Sequence, residues 1–197
     1  MEVEGLETSV RVIDAYLTAE ECGSIINIAR PKVRPITIRD SSKSESGTSD
    51  YRKGERGWFR FHGNELVTSL ERRLSDDFKM PEENGENLQV VHYGVGGYCI
   101  SHYDFFDPDY SRNDIELARG GQRILTVLMY LNNVEEGGAT FFDKLDIRIT
   151  PRVGRAVVWR NVNNENKIDR NTIHIAEPVL KGEKWIMTKF FRERKFR

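Results

Sequence analysis

His102 and Asp104, one residue apart, are answered far downstream by His174 and, ten residues later, by Lys184. Two imidazoles and a carboxylate can take one face of an octahedral ion and leave three adjacent positions open, the donor set of non-haem Fe(II) oxygenases. A zinc hydrolase can use the same donors, so ligand types alone leave the metal open. Lys184 bears on that choice. In the pattern Lys184-Trp185-Ile186-Met187-Thr188-Lys189-Phe190-Phe191, alternation puts Lys184, Ile186, Thr188 and Phe190 on one face. If that face looks inward, the ammonium needs an anionic partner, because an unpaired buried charge is strongly destabilising. A dicarboxylate chelated to iron at one end could reach Lys184 with the other, which fits 2-oxoglutarate. A hydrolase has no use for the second anchor. The alternative is an exposed lysine beside a glycine turn.

These residues must be brought together by strands. From Leu88 onward the chain is a series of short apolar or alternating runs, rich in β-branched and aromatic residues. Strands are predicted at 88–93, 98–105, 122–131, 139–142, 155–160, 171–177 and 184–191, with turns such as Gly94-Val95-Gly96-Gly97 and Glu135-Glu136-Gly137-Gly138 between them. His102 and Asp104 would then share one strand face, and His174 would come from a second strand, Thr172-Ile173-His174-Ile175-Ala176.

The first third is mixed. Thr18 with Glu21 predicts a capping box, and Cys22, Ile25, Ile26 and Ala29 recur at helical spacing until Pro31. A second helix is expected from about Asn64 to Ser75, with Leu66, Val67, Leu70 and Leu74 on one face. Between them, Asp40 to Gly57 is almost devoid of apolar residues and reads as a mobile loop covering the site. Helices followed by many short strands imply an α+β, mainly β, chain in which helices support one sheet of a sandwich or barrel.

At 197 residues the chain is long enough for one sizeable core, and a single domain over 1–197 is expected. A net charge of -1 offers no general attraction to nucleic acid or acidic membranes, and no partner of either kind is expected. The expected state is a monomer. The basic tail Phe191–Arg197 reads as a solvated chain end. Cys22 and Cys99 are too few for a disulfide framework and read as small buried residues. The beginning of the chain has no secretory pattern, so a reducing cytoplasm is the default, although a chain trimmed of a signal peptide for the secretory lumen would read the same. Of the four histidines, His62 and His92 read as structural.

Taken together, the motifs have a likeness. Leu88-Gln89-Val90-Val91-His92-Tyr93-Gly94, His102-Tyr103-Asp104-Phe105, Gly120-Gly121-Gln122-Arg123-Ile124-Leu125-Thr126, Glu136-Gly137-Gly138-Ala139-Thr140, Gly154-Arg155-Ala156-Val157-Val158-Trp159 and the closing His174 with Lys184-Trp185 resemble the catalytic domain of collagen- and plant-type prolyl 4-hydroxylases, among the Fe(II)/2-oxoglutarate-dependent dioxygenases. The resemblance implies a double-stranded β-helix, or jelly-roll, core over about 88–194 supported by 1–87. It also implies Fe(II), 2-oxoglutarate, O2 and ascorbate, with a proline-containing peptide or protein as substrate. Proline is then hydroxylated at C4 as 2-oxoglutarate becomes succinate and CO2. By position, His102, Asp104 and His174 look like the iron ligands. Lys184 looks like the anchor for the far carboxylate of 2-oxoglutarate, with Tyr93 and Thr140 as helpers, and Arg123 matches a residue that contacts the peptide.

There are departures. Cys99 stands where the family often has Tyr, and Phe190 where it often has Trp, both on the expected substrate side; the polar stretch 107–117 could shape the entrance. The same chemistry on another residue or on a nucleic acid, and a non-catalytic metal- or peptide-binding module, are the competing readings.

Overall fold

The computed structural model describes residues 10–38, 47–48 and 51–197. Its centre is a seven-stranded antiparallel sheet in the order Val10–Ile13, Ala156–Arg160, Arg123–Tyr130, Lys184–Arg192, Gln89–Tyr93, Glu55–Trp58, Arg34–Pro35. A five-stranded antiparallel sheet faces it, in the order Ile147–Ile149, Thr140–Phe142, His174–Ala176, Tyr98–His102, Arg52–Lys53. The expected jelly roll is present.

Alternation along each central strand decides what the larger sheet buries on either side. Leu125, Val127, Met129 and Leu131, with Trp185, Met187 and Phe191, pack against Cys22, Ile25 and Ala29 of the helix Ala19–Ala29 and Val67, Leu70 and Leu74 of the helix Glu65–Phe78. One residue along, Leu128, Tyr130 and Ile186 join Val91, Tyr93, Val157 and Trp159 and meet Phe142, Ile149, Ala176 and Cys99 of the smaller sheet. A slip of one residue would exchange the two faces, so burial on both sides specifies the register. The helices form where the spacing predicts them. Thr18 and Glu21 make the reciprocal capping box, Asn64 caps the second helix by accepting from Val67 N at 2.9 Å, and that helix runs three residues beyond the expected Ser75.

Several expectations change. The strand with His102 ends at that residue, so Asp104 lies just beyond it, and a turn of 3-10 helix at Arg170–Thr172 replaces the first half of the expected strand at 171–177. The polar stretch 107–117 leads into a short helix, Asp114–Gly120. Of the expected mobile loop, residues 40–46, 49 and 50 lie outside the described residues; Arg52–Lys53 and Glu55–Trp58 are short strands, one in each sheet.

The basic tail is solvated only in part: Glu193, Arg194 and Lys195 are exposed, but the residues on either side are held down. Arg192 is fully buried, donating to Gly121 O and pairing with Glu86, and Arg197 stacks over Phe61 at 3.7 Å and donates to Gly85 O. Lys189, on the helix-facing side of the last strand, is wholly buried against Glu71 of the second helix and also donates to Glu86 O. Burial holds its ammonium down to about 8, despite the attraction of Glu71. Lys189→Met removes one partner and leaves the Glu71 carboxylate stranded, with Arg197 4.0 Å away. A loss of about 3–5 kcal/mol in urea-unfolding stability is expected, far more than an exposed lysine would give.

Candidate active site

Between the two sheets the predicted residues converge. His102 ends the strand Tyr98–His102 and His174 opens His174–Ala176; the two are paired across antiparallel strands, and their ring centroids lie 4.3 Å apart. Asp104 comes from the turn after His102, its Oδ1 3.9 Å from His102 Nε2. One donor atom from each of the three lies within 4.8 Å of the others.

Their orientation comes from neighbouring groups. His102 Nδ1 is 2.8 Å from Ile100 O, and His174 Nδ1 is 2.9 Å from Thr172 O. A carbonyl can only accept, so each Nδ1 carries a proton, and it is Nε2 of each ring that is placed to ligate a metal. Burial, together with the charges of His174 and Arg52, pushes His102 well below the ordinary imidazole range, which favours the neutral form that ligation needs.

Asp104 is held by a buried chain. Thr126 Oγ1 donates to Asp104 Oδ2 at 2.9 Å, Asn161 Nδ2 donates to Thr126 Oγ1 at 2.8 Å, and Trp159 Nε1 donates to Asn161 Oδ1 at 3.1 Å. Sequence reasoning did not single out this chain. The signal available was a hydroxyl at Thr126 within the apolar run 124–130 and an amide at Asn161, two residues after Trp159.

Lys184 faces the same cavity. It is 1% exposed, opposite Tyr93 in the sheet register, and its Nζ has no hydrogen-bond partner. The rings of Tyr93 and Tyr130 stand 5.6 and 5.5 Å away. Desolvation lowers the ammonium to about 7. A buried, unpaired basic group in a cavity that also holds a His–Asp–His cluster is complementary to an anion reaching over from a bound metal. Tyr93 and Thr140 line the cavity with it, and Thr140 Oγ1 accepts from Tyr130 OH at 2.6 Å, so Tyr130 orients Thr140 from behind this wall.

Arg123 lies at the mouth. Its Nε and Nη2 donate to the two oxygens of Glu86 at 2.7 and 2.8 Å, and its guanidinium lies 3.9 Å from the Phe190 ring centre and 4.8 Å from that of Phe106. Glu86 is in turn held by the buried Arg192, whose Nη1 donates to it at 2.9 Å. Phe190 thus packs on Arg123, while Cys99 is buried and accepts from Arg52 Nε at 3.0 Å. Arg52 is the residue that sequence reasoning left inside the polar stretch; its Nη2 is 3.4 Å from His102 Nε2. His92 lies outside the site, bridging Glu55 and Glu183 and stacked on Trp185 at 4.3 Å, and His62 pairs with Glu82.

The comparisons with known proteins agree with this geometry. The model of the 2OG-Fe(II) oxygenase superfamily matches residues 88–192. Prolyl 4-hydroxylase 5 of Arabidopsis thaliana is 33% identical over 216 residues, covering 100% of this chain and 72% of its own. Prolyl 4-hydroxylase subunit alpha-1 of Gallus gallus is 34% identical over 185 residues, covering 94% of this chain and 36% of its own. Among solved structures, a viral collagen prolyl hydroxylase from Paramecium Bursaria Chlorella virus-1, in a 2OG complex, superimposes with a TM-score of 0.72 at 26% identity, covering 93% of this chain and 95% of that one. By fold, by site and by sequence across its whole length, the chain belongs to the prolyl 4-hydroxylase branch of the 2OG-Fe(II) oxygenase superfamily.

Proposed function

We propose that the protein is an Fe(II)- and 2-oxoglutarate-dependent dioxygenase that hydroxylates peptidyl proline at C4. The observation that carries this reading is Lys184, an unpartnered ammonium sealed in the same cavity as His102, Asp104 and His174. Its position and burial suit the far carboxylate of 2-oxoglutarate and have no role in a simple metal hydrolase. When bound, iron with 2-oxoglutarate and O2 supplies the oxidising power for C–H hydroxylation, with succinate and CO2 as coproducts; ascorbate serves as the reductant that keeps iron ferrous.

The chain's own residues would divide the remaining tasks. His102 and His174 offer Nε2 atoms, each with its Nδ1 turned to a backbone carbonyl, and Asp104 offers a carboxylate whose rotation is restrained by Thr126. The apolar wall of Val91, Leu128, Trp159 and Ile186 keeps bulk water from the reacting centre and protects it from side reactions. Arg123, clamped by Glu86 and flanked by Phe190 and Phe106, has its third nitrogen, Nη1, only weakly engaged, 3.4 Å from Asp104 O. It is therefore a pre-oriented donor for a peptide carbonyl at the mouth.

The test is incubation of purified protein with Fe(II), 2-oxoglutarate, ascorbate and a panel of poly-proline, Pro-Pro-Gly and Ser-Pro peptides. Expected is one oxygen added to proline, matched by succinate release and located at C4 by fragmentation. Succinate release with no oxidised proline on any peptide would remove the substrate assignment and leave the cofactor chemistry standing.

A further inference from the structure

The cavity that opens outward from the metal cluster has a volume of about 270 Å³ and presents three guanidinium groups, those of Arg52, Arg56 and Arg123. Among the described residues that line it, the only carboxylate is Asp104, the metal ligand of the reading above. Two of the arginines are engaged: Arg123 grips Glu86, and Arg52 donates to Cys99. Glu86 is already shared with Arg192, so its charge is divided between two guanidinium groups. Arg56 differs. It lies 4.6 Å over the ring of Trp58 and pairs with no carboxylate among the described residues.

Loading the inner site does not relieve this excess. Bound Fe(II), the Asp104 carboxylate, the 2-oxoglutarate dianion and the Lys184 ammonium cancel one another. Among the described residues, the positive charge at the mouth therefore remains when the cofactors are in place. Arg56 is half-buried, and burial together with the nearby charges of Arg52 and Arg123 lowers its guanidinium from the ordinary value, a sign of positive charge without compensation. The cavity continues past Arg56, Gln89 and Arg123 into an outer groove of about 590 Å³ with the half-exposed Trp58 and Arg119 on its walls, where the two carboxylates, Glu86 and Glu116, are both paired with Arg192. A chain leaving the metal centre along this course passes Arg56.

On the reading of the site as a peptidyl-proline hydroxylase, we infer that Arg56 selects substrates carrying an aspartate or glutamate side chain close to the target proline. A carboxylate there would gain a charge-assisted bond to a guanidinium on an apolar aromatic shelf and would relieve repulsion among three like charges.

The experiment measures binding by fluorescence anisotropy, so that it does not depend on turnover, and follows hydroxylation in parallel by mass spectrometry. Labelled proline peptides with amidated ends carry Glu, Gln or Lys at each of the nearest positions on either side of the target. In at least one register the Glu peptide is expected to bind about five- to tenfold more tightly than the Gln peptide, with Lys weaker than both, and the advantage should shrink as salt rises. Arg56→Gln should bring the Glu-to-Gln ratio to about one, whereas Arg34→Gln, which alters a neighbouring charge bonded to Pro31 O and Val33 O, should leave the ratio standing. Equal binding of Glu and Gln peptides in every register would overturn the inference, as would a Glu preference that survives Arg56→Gln. Binding with the expected preference but no oxidised proline would instead count against the hydroxylase reading alone.

Discussion

Lys184→Met is expected to raise the dissociation constant for 2-oxoglutarate by at least about thirtyfold and, in the same protein, to raise the melting temperature without ligand. The first effect follows because a buried charge pair at a binding site loses about 2–5 kcal/mol when one partner is truncated. The second follows because the unliganded ammonium is 1% exposed and has no hydrogen-bond partner, so replacing it with an apolar chain of similar length removes a desolvation penalty. Isothermal titration calorimetry with 2-oxoglutarate and thermal melts of the ligand-free protein read the two effects. An exposed, merely structural lysine would show neither.

The same group gives a pH signature. Lys184 is lowered from 10.5 to about 7 in the folded chain. Below about 7 both folded and unfolded forms carry the proton, and the full penalty of burying the charge is present. Between about 7 and 10.5 the unfolded chain holds a proton that the folded chain lacks, so this group makes stability rise with pH until it levels off above 10.5. The wild type should show that rise relative to Lys184→Met. A dianion beside the amine favours its charged form, so binding of 2-oxoglutarate above pH 7 should take up a proton. Calorimetry at mildly alkaline pH in two buffers of different ionisation enthalpy measures that uptake, and its absence would show that the ligand does not reach Lys184.

Metal binding carries the second large effect. Asp104→Ala and His174→Ala each delete one of three donors and are expected to abolish Fe(II)-dependent turnover, with loss of the visible absorption of a Co(II)-substituted site. Thr126→Val is the more discriminating change. It is close to isosteric but removes the hydroxyl that donates to Asp104 Oδ2 and accepts from Asn161 Nδ2. Partners that orient a ligating group typically contribute about 10–100-fold in metal affinity, and Co(II) titration should show a weakening of that size. Thr126→Val also leaves the buried Asn161 amide without an acceptor, a stability cost of about 1–3 kcal/mol. Thr126→Ser keeps the hydroxyl and should recover metal affinity even where packing is slightly loosened. If Val and Ser variants bind Co(II) equally well, the Trp159–Asn161–Thr126 chain supports the fold and does not orient the ligand.

The two scales of the site differ in how well the sequence revealed them. His102, Asp104, His174 and Lys184 were legible because side-chain chemistry is written in residue type and strand alternation says which residues share a face. The same alternation placed Trp185, Met187 and Phe191 on the helix side and Ile186 on the cavity side of one strand. It was silent on which strands are neighbours. The Arg52–Lys53 strand was hidden in a polar stretch because an edge strand needs only backbone pairing, here Arg52 opposite Cys99, and no apolar pattern. The tail was misread for a related reason: Arg192 and Arg197 are charged by type, but Glu86, Gly85 and Phe61 supply their partners, all distant in sequence.

By itself, then, the sequence offered His102, Asp104 and His174 as candidate donors with Lys184 as a candidate anion partner, and it set the capped helices and the two-faced central strands, since each is local in type or period. Only the tertiary structure decided that Lys184 is buried, that His102 and His174 meet across adjacent strands, that Thr126 and Asn161 hold the carboxylate, and that Arg56 has no carboxylate partner among the described residues at the mouth. Those contacts are set by register and by the stacking of one sheet on the other, where residues far apart in the chain become neighbours, and no local pattern encodes the partner.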